Sequence, residues 1–170
     1  MNIVIIAFVA TLVGFGLIML AGAGRHTSPA AAESAGAAEL GWVKDGGVER
    51  FEKMLVRLFG EMGFTAEPGD RGQGTIDFYA TDPTPIRGGR IYVRGVLPAT
   101  AVPVDADEVL TLIDTARAES VGKAVLVTLG RFSEEARDTA KGNPVDLVDG
   151  DALAALVKKH LPQAYATKTV

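Results

Sequence analysis

The stretch that most limits what this chain can become is Lys123 to Leu129, Lys-Ala-Val-Leu-Val-Thr-Leu. After Lys123 it is almost continuously apolar, the signature of a strand covered on both faces. Such a strand needs helices on either side of its sheet, and the flanking sequence supplies them. Upstream, Asp105 is placed as an N-cap, with Glu108 three residues on completing a capping box. Val109, Leu112, Ile113 and Ala116 form the apolar face of the helix that follows. Downstream, Ser133 caps a short helix to about Ala140, Gly142 ends it, and Val145 to Val148 is a further strand. Asp149 or Asp151 starts a last helix, with Leu153, Leu156, Val157 and His160 or Leu161 on its buried side. Strands alternating with helices imply parallel crossovers and a three-layer α/β domain.

The first half adds a helix and three strands. Phe51, Met54, Leu55, Leu58, Phe59 and Met62 make one stripe at helical spacing between Val48 and Met62, with Glu52, Lys53, Arg57 and Glu61 on other faces. Gly63 is placed to end that helix in a left-handed conformation. Phe64 to Glu67 starts a strand, and Pro68-Gly69-Asp70-Arg71-Gly72 reads as a turn. Thr75 to Ala80 alternates as a strand. Asp82-Pro83-Thr84-Pro85 breaks it, Gly88-Gly89 makes a tight connection, and Arg90 to Leu97 is the next strand. On it, Ile91, Val93 and Gly95 share one face; Tyr92, Arg94 and Val96 share the other.

Residues 2–23 carry no charged side chain. About 20 helical residues rise about 30 Å, enough to cross a bilayer, so a transmembrane helix is expected there. A cleaved signal peptide is the alternative, with Ala21-Gly22-Ala23 as its small-residue site. The missing basic leader and the length of the run favour an anchor. Ala7/Thr11 and Ala10/Gly14 are small residues four apart, a spacing that lets another membrane helix approach closely. Arg25, just after the span, favours a cytoplasmic C-terminal domain in a single-pass protein of the inner or cytoplasmic membrane. Residues 24–45 are Ala-, Ser-, Gly- and Pro-rich and read as a flexible linker. A folded domain at 46–161 and a polar tail at 162–170 complete the expected organisation.

Formal net charge is −4, which argues against a protein devoted to non-specific nucleic-acid binding. The chain has no Cys, so it makes no disulfide and no thiolate metal site. Its two His, His26 and His160, are too far apart in sequence for a His-based cluster, and His160 suits the end of a helix. Ser133 and Thr128 lack a nearby His for nucleophilic chemistry. Gly72-x-Gly74 leads into a strand, unlike a dinucleotide-binding loop.

Four segments carry a resemblance to a known family. The first helix begins Phe51-Glu52 and ends Met62-Gly63-Phe64. Gly72-Gln73-Gly74-Thr75-Ile76-Asp77 is a Gly-rich turn ahead of an acid. Val125-Leu126-Val127-Thr128 is followed by Arg131-Phe132-Ser133 and Ala136. Leu147-Val148-Asp149-Gly150 precedes Leu153. In this order they resemble the Mrr-like restriction endonuclease family of the PD-(D/E)xK nuclease superfamily, over roughly residues 48–161. The resemblance implies a three-layer restriction-endonuclease-like α/β fold with a mixed central sheet, here preceded by one transmembrane helix. It also implies Mg²⁺-dependent cleavage of a phosphodiester, in which the metal takes carboxylate oxygens and a Lys assists the attacking water.

Glu52 and Asp77 stand at the positions the resemblance assigns to two acidic groups. The second motif, Gln or Glu, one residue, then Lys, is lost. Arg94 stands at the acid position and Val96 at the Lys position. Arg94 is a permanent cation where a metal ligand belongs, and at about 4 Å like charges in a partly dry site repel by several kcal/mol. Arg94 is therefore expected to fill the metal's place and pair with Asp77 or Glu52, leaving a degenerate site with no metal and no catalytic residue. Lys53 and Lys123 are the candidates for a relocated Lys.

Two functions follow. In the first, the chain is a membrane-anchored, catalytically inactive nuclease-like domain serving as a scaffold or accessory subunit, with the membrane and other membrane proteins as partners and no cofactor. In the alternative it is a membrane-tethered DNA-binding or Mg²⁺-dependent DNA-cleaving protein, with Arg87, Arg90 and Arg94 facing phosphates.

Overall fold

The computed structural model describes residues 35–85 and 88–163. The expected transmembrane helix at 2–23, with Ala7, Ala10, Thr11 and Gly14, lies outside them, as do Arg87 and residues 164–170. Among the described residues, no helix is long and apolar enough to cross a membrane.

The helices are α1 (Ala35–Glu39), α2 (Gly41–Asp45), α3 (Gly47–Glu61), α4 (Ala106–Ala118), α5 (Glu134–Ala140) and α6 (Gly150–His160). The strands are β1 (Thr65–Ala66), β2 (Asp70–Arg71), β3 (Thr75–Thr81), β4 (Arg90–Val96), β5 (Lys123–Thr128) and β6 (Val145–Val148). They form one mixed sheet in the order β1-β3-β4-β5-β6, with β2 also pairing with β3. β3 and β4 are antiparallel, while β4, β5 and β6 run parallel through the α4 and α5 crossovers.

The sheet separates two cores. Ile76, Phe78, Val93, Val125 and Val127 pack against Phe51, Leu55 and Leu58 of α3 and Leu153 and Val157 of α6. On the opposite face, Tyr92, Ala124 and Leu126 pack against Val109, Leu112 and Ile113 of α4 and Ala136 of α5. Helix ends follow their side chains. Phe64 N–H bonds to the Phe59 carbonyl across Gly63, whose φ is +95°, closing α3. Ser133 and Asp149 cap α5 and α6 by accepting from the amides of Ala136 and Ala152.

Four sequence expectations need correction. Residues 35–45, assigned to the linker, form α1 and α2, and Leu40 and Val43 are fully buried in the α3–α6 core. Two buried residues are too few to show a periodic stripe. Asp70 and Arg71, read as part of a turn, form a short strand because they pair in register with Asp77 and Ile76. Asp105 occupies the N-cap of α4, but its side chain makes no capping hydrogen bond; Glu108 lies against Arg94 instead. Glu52, read as lying off the apolar stripe of its helix, is nevertheless 1% exposed.

Candidate functional site

The antiparallel register sets Asp77 of β3 directly opposite Arg94 of β4, on the face covered by α4. The guanidinium grips the carboxylate at two points: Arg94 Nε to Asp77 Oδ1 at 2.6 Å and Nη2 to Oδ2 at 3.1 Å. This fork-on-fork geometry is the strong form of a charge-assisted pair. Arg94 Nη1 also reaches Glu108 Oε1 in the first turn of α4 at 3.4 Å, and Nη2 donates to the Tyr92 hydroxyl at 3.4 Å. The side chains of Arg94, Asp77 and Glu108 are 13%, 23% and 29% exposed, so little water screens them. Burial works against the Arg94 cation, but the Asp77 carboxylate outweighs it and holds the guanidinium protonated well beyond its ordinary range. Burial, and then the Asp77 carboxylate, push the Tyr92 phenol up to about 12.

Glu52 has a separate cation. Ala66 pairs with Ala80 and Asp70 with Asp77, so Glu67, Pro68 and Gly69 stand against only Tyr79 and Phe78. That extra residue is a bulge, a device that re-aims backbone and side chains. Gly69 passes so close to the Asp77 carbonyl that a β-carbon there would overlap it. Its N–H, freed from the ladder, donates to Glu52 Oε1 at 3.2 Å. Arg71, next along the strand, lies opposite Ile76 and reaches α3, where its Nε donates to Glu52 Oε2 at 2.5 Å and its Nη2 completes the ion pair. Of the two acids expected to pair with Arg94, the structure brings Asp77 to it.

The remaining candidates lie apart. Val96 pairs with Thr75 and with Thr128, neither of them a base. Lys123 pairs with Ile91 at the far end of β4 and bridges to Asp146 at 2.7 Å. Lys53 is exposed on α3 and bridges to Glu49. Arg90 shares a strand with Arg94, but its guanidinium lies 4.0 Å over the Tyr79 ring. Among the described residues no group of three or more His, Asp or Glu is arranged to hold a metal. Beside Asp77 runs a groove of about 450 Å³ lined by Glu67, Asp70, Tyr79, Tyr92 and Glu119 among others. Asp70 and Asp77 are direct cross-strand neighbours, an arrangement that like charges disfavour.

Sequence reasoning did not identify Arg71 or Glu108 as site residues. Arg71 sits in what looks like a turn, and Glu108 fits a capping box. Only the bulge and the packing of α4 on the sheet assign them their partners.

Residues 45–157 match the family model Mrr_cat, described as restriction endonuclease. The chain belongs to this Mrr-type restriction endonuclease family. The Mrr-type domain is also similar in structure to the DNA modification-dependent restriction endonuclease AspBHI, at a TM-score of 0.60 and 18% identity over 84% of this chain. It resembles the MspJI restriction endonuclease, determined in complex with a 27-mer oligonucleotide, at a TM-score of 0.53 and 22% identity over 84% of this chain. The chain spans 41% and 36% of those two proteins, respectively. No curated protein matches it. Within the matched range, Asp77 of β3 is paired to Arg94 of β4, and Val96 lies two residues further along that strand. Both Asp77 oxygens accept from the Arg94 guanidinium, so the carboxylate as placed does not fit Mg²⁺.

Proposed function

We propose that this Mrr-type domain has exchanged its divalent metal for arginine and works by binding rather than by cutting DNA, as a scaffold or accessory subunit of a membrane protein assembly. The observation that carries the reading is the two-point Arg94–Asp77 bond. Opening it to admit a metal would strip a low-exposure carboxylate of its counter-charge and leave a permanent cation beside the incoming ion. The groove beside Asp77 adds support. Glu67, Asp70 and Glu119 line it, and a cleft of one sign repels ligands of that sign, here a polyphosphate backbone. The uncharged run at 2–23 supplies the membrane part of the reading, with the domain on the cytoplasmic side and membrane proteins as partners through that helix.

The test is extraction of the full-length protein from native membranes in mild detergent. Membrane proteins retained at constant stoichiometry, without nucleic acid, are the expected result. Purification alone, or with nucleic acid, would overturn it.

One observation favours a second reading, DNA binding by a tethered domain: Arg90 is exposed on the same strand as Arg94, and one of the similar nucleases was solved with an oligonucleotide. In that case affinity for duplex DNA falls steeply with salt and weakens in Arg90→Ala. Magnesium-dependent cleavage by the unaltered protein would defeat the non-catalytic reading outright.

A further inference from the structure

We infer that residues 35–45 are a clasp, locked to the α3–α6 side of the domain, that fixes the face on which the chain enters the nuclease fold. The clasp lies almost wholly ahead of the residues that match the family, 45–157. Four contacts hold it. Gly36 N–H donates to Asp151 Oδ1, in the first turn of α6, at 2.7 Å. Gly36 lies against the backbone of Gly150 and Asp151, so close that a β-carbon would overlap the Gly150 carbonyl. Leu40 and Val43 are fully buried in the core that contains Phe51, Leu153 and Val157. Arg50 of α3 then secures the end of the clasp by donating to the Trp42 carbonyl at 3.0 Å. The contacts with Gly150, Asp151, Leu153 and Val157 reach residues more than a hundred positions away, and a free linker makes none of them.

The clasp belongs to the face of the sheet opposite Asp77, Arg94 and Glu108. Residue 35 therefore lies on the α3–α6 side of the domain, on the face of the sheet opposite Arg94. This holds whether or not the domain cuts DNA, because no residue of the clasp takes part in the Asp77–Arg94 pair.

The chain has no cysteine, so paired spin labels can be placed uniquely in the full-length protein. Glu39→Cys with Arg117→Cys joins an exposed clasp position to the opposite side of the domain, and Arg57→Cys with Arg117→Cys is the control pair within it. Pulsed dipolar spectroscopy is expected to give one narrow distance peak for each pair. Gly36→Val should abolish the narrow 39–117 peak and leave the 57–117 peak intact. A broad 39–117 distribution in the unaltered clasp, or one that Gly36→Val leaves unchanged, would overturn the inference. Should Gly36→Val also broaden the control pair, Asp151→Ala decides, since it removes only the hydrogen bond. It must then broaden the 39–117 peak, and an unchanged peak counts against the clasp.

Discussion

Glu52 and Arg71 are unequal partners, and the inequality sets what each contributes. The Glu52 side chain is 1% exposed and that of Arg71 47%. Removing Arg71 strands a buried carboxylate with one backbone amide, whereas removing Glu52 releases an arginine that can turn to water. Arg71→Ala should therefore cost about 3–5 kcal/mol, as breaking a buried pair does, while Glu52→Leu should be near neutral. Urea unfolding of the two variants checks the order. Tyr92 gives a pH dependence. Its folded value of about 12 exceeds the ordinary 10.0, so the folded state holds the phenolic proton more tightly. That contribution is complete below pH 10.0 and lost as the pH rises through about 12. Tyr92→Phe should flatten the alkaline loss of stability across that interval in unfolding curves. At this scale the sequence was legible where chemistry is local. A half-buried Arg94 demands a carboxylate, and strand alternation puts it on one face with Tyr92 and Val96. Arg71 and Glu108 were illegible because their partners depend on a bulge and on helix packing, which leave no spacing signal.

Elements were read from their periods. The stripe from Phe51 to Phe59 gave α3, and the apolar run at 123–129 gave a strand buried on both faces, because burial imposes those patterns directly. What the period cannot show is how closely two elements approach. Gly95 looks like an ordinary strand residue, yet a β-carbon there would meet Ile76 Cγ1 at 2.7 Å and Phe51 Cε1 at 2.9 Å. It is the low point of the sheet on which α3 rests. Gly95→Ala should force α3 outward and cost about 1–3 kcal/mol, the range for overpacking a filled core. A lowered urea midpoint with an unchanged slope is the expected outcome. The helices at 35–45 escaped notice for the opposite reason. Their composition is that of a linker, and their stability comes from Gly150, Asp151 and the α3–α6 core rather than from their own sequence.

For the molecule as a whole, the proposed exchange of a metal for Arg94 predicts a fold that does not depend on divalent ions. A ligand that binds the native state but not the unfolded chain stabilises it by RT ln(1 + L/Kd), where L is the free ligand concentration. The melting temperature of the full-length protein is therefore expected to be the same in excess Mg²⁺ and in excess chelator. A rise with Mg²⁺ would mean that Asp77 still takes a metal. The Pro68–Gly69 bulge has a consequence of another kind. β1 and β2 form one rim of the sheet, and rims offer unpaired amides on which a second molecule can build. Here that rim is cut into two-residue pieces, interrupted by a proline that has no amide to offer, and bordered by Glu67 and Asp70. The kink that turns Gly69 toward Glu52 also keeps neighbouring molecules from zipping on. Deleting Pro68 to restore an even ladder should yield a protein that self-associates as its concentration rises, visible as a growing scattering mass, while the original chain stays dispersed.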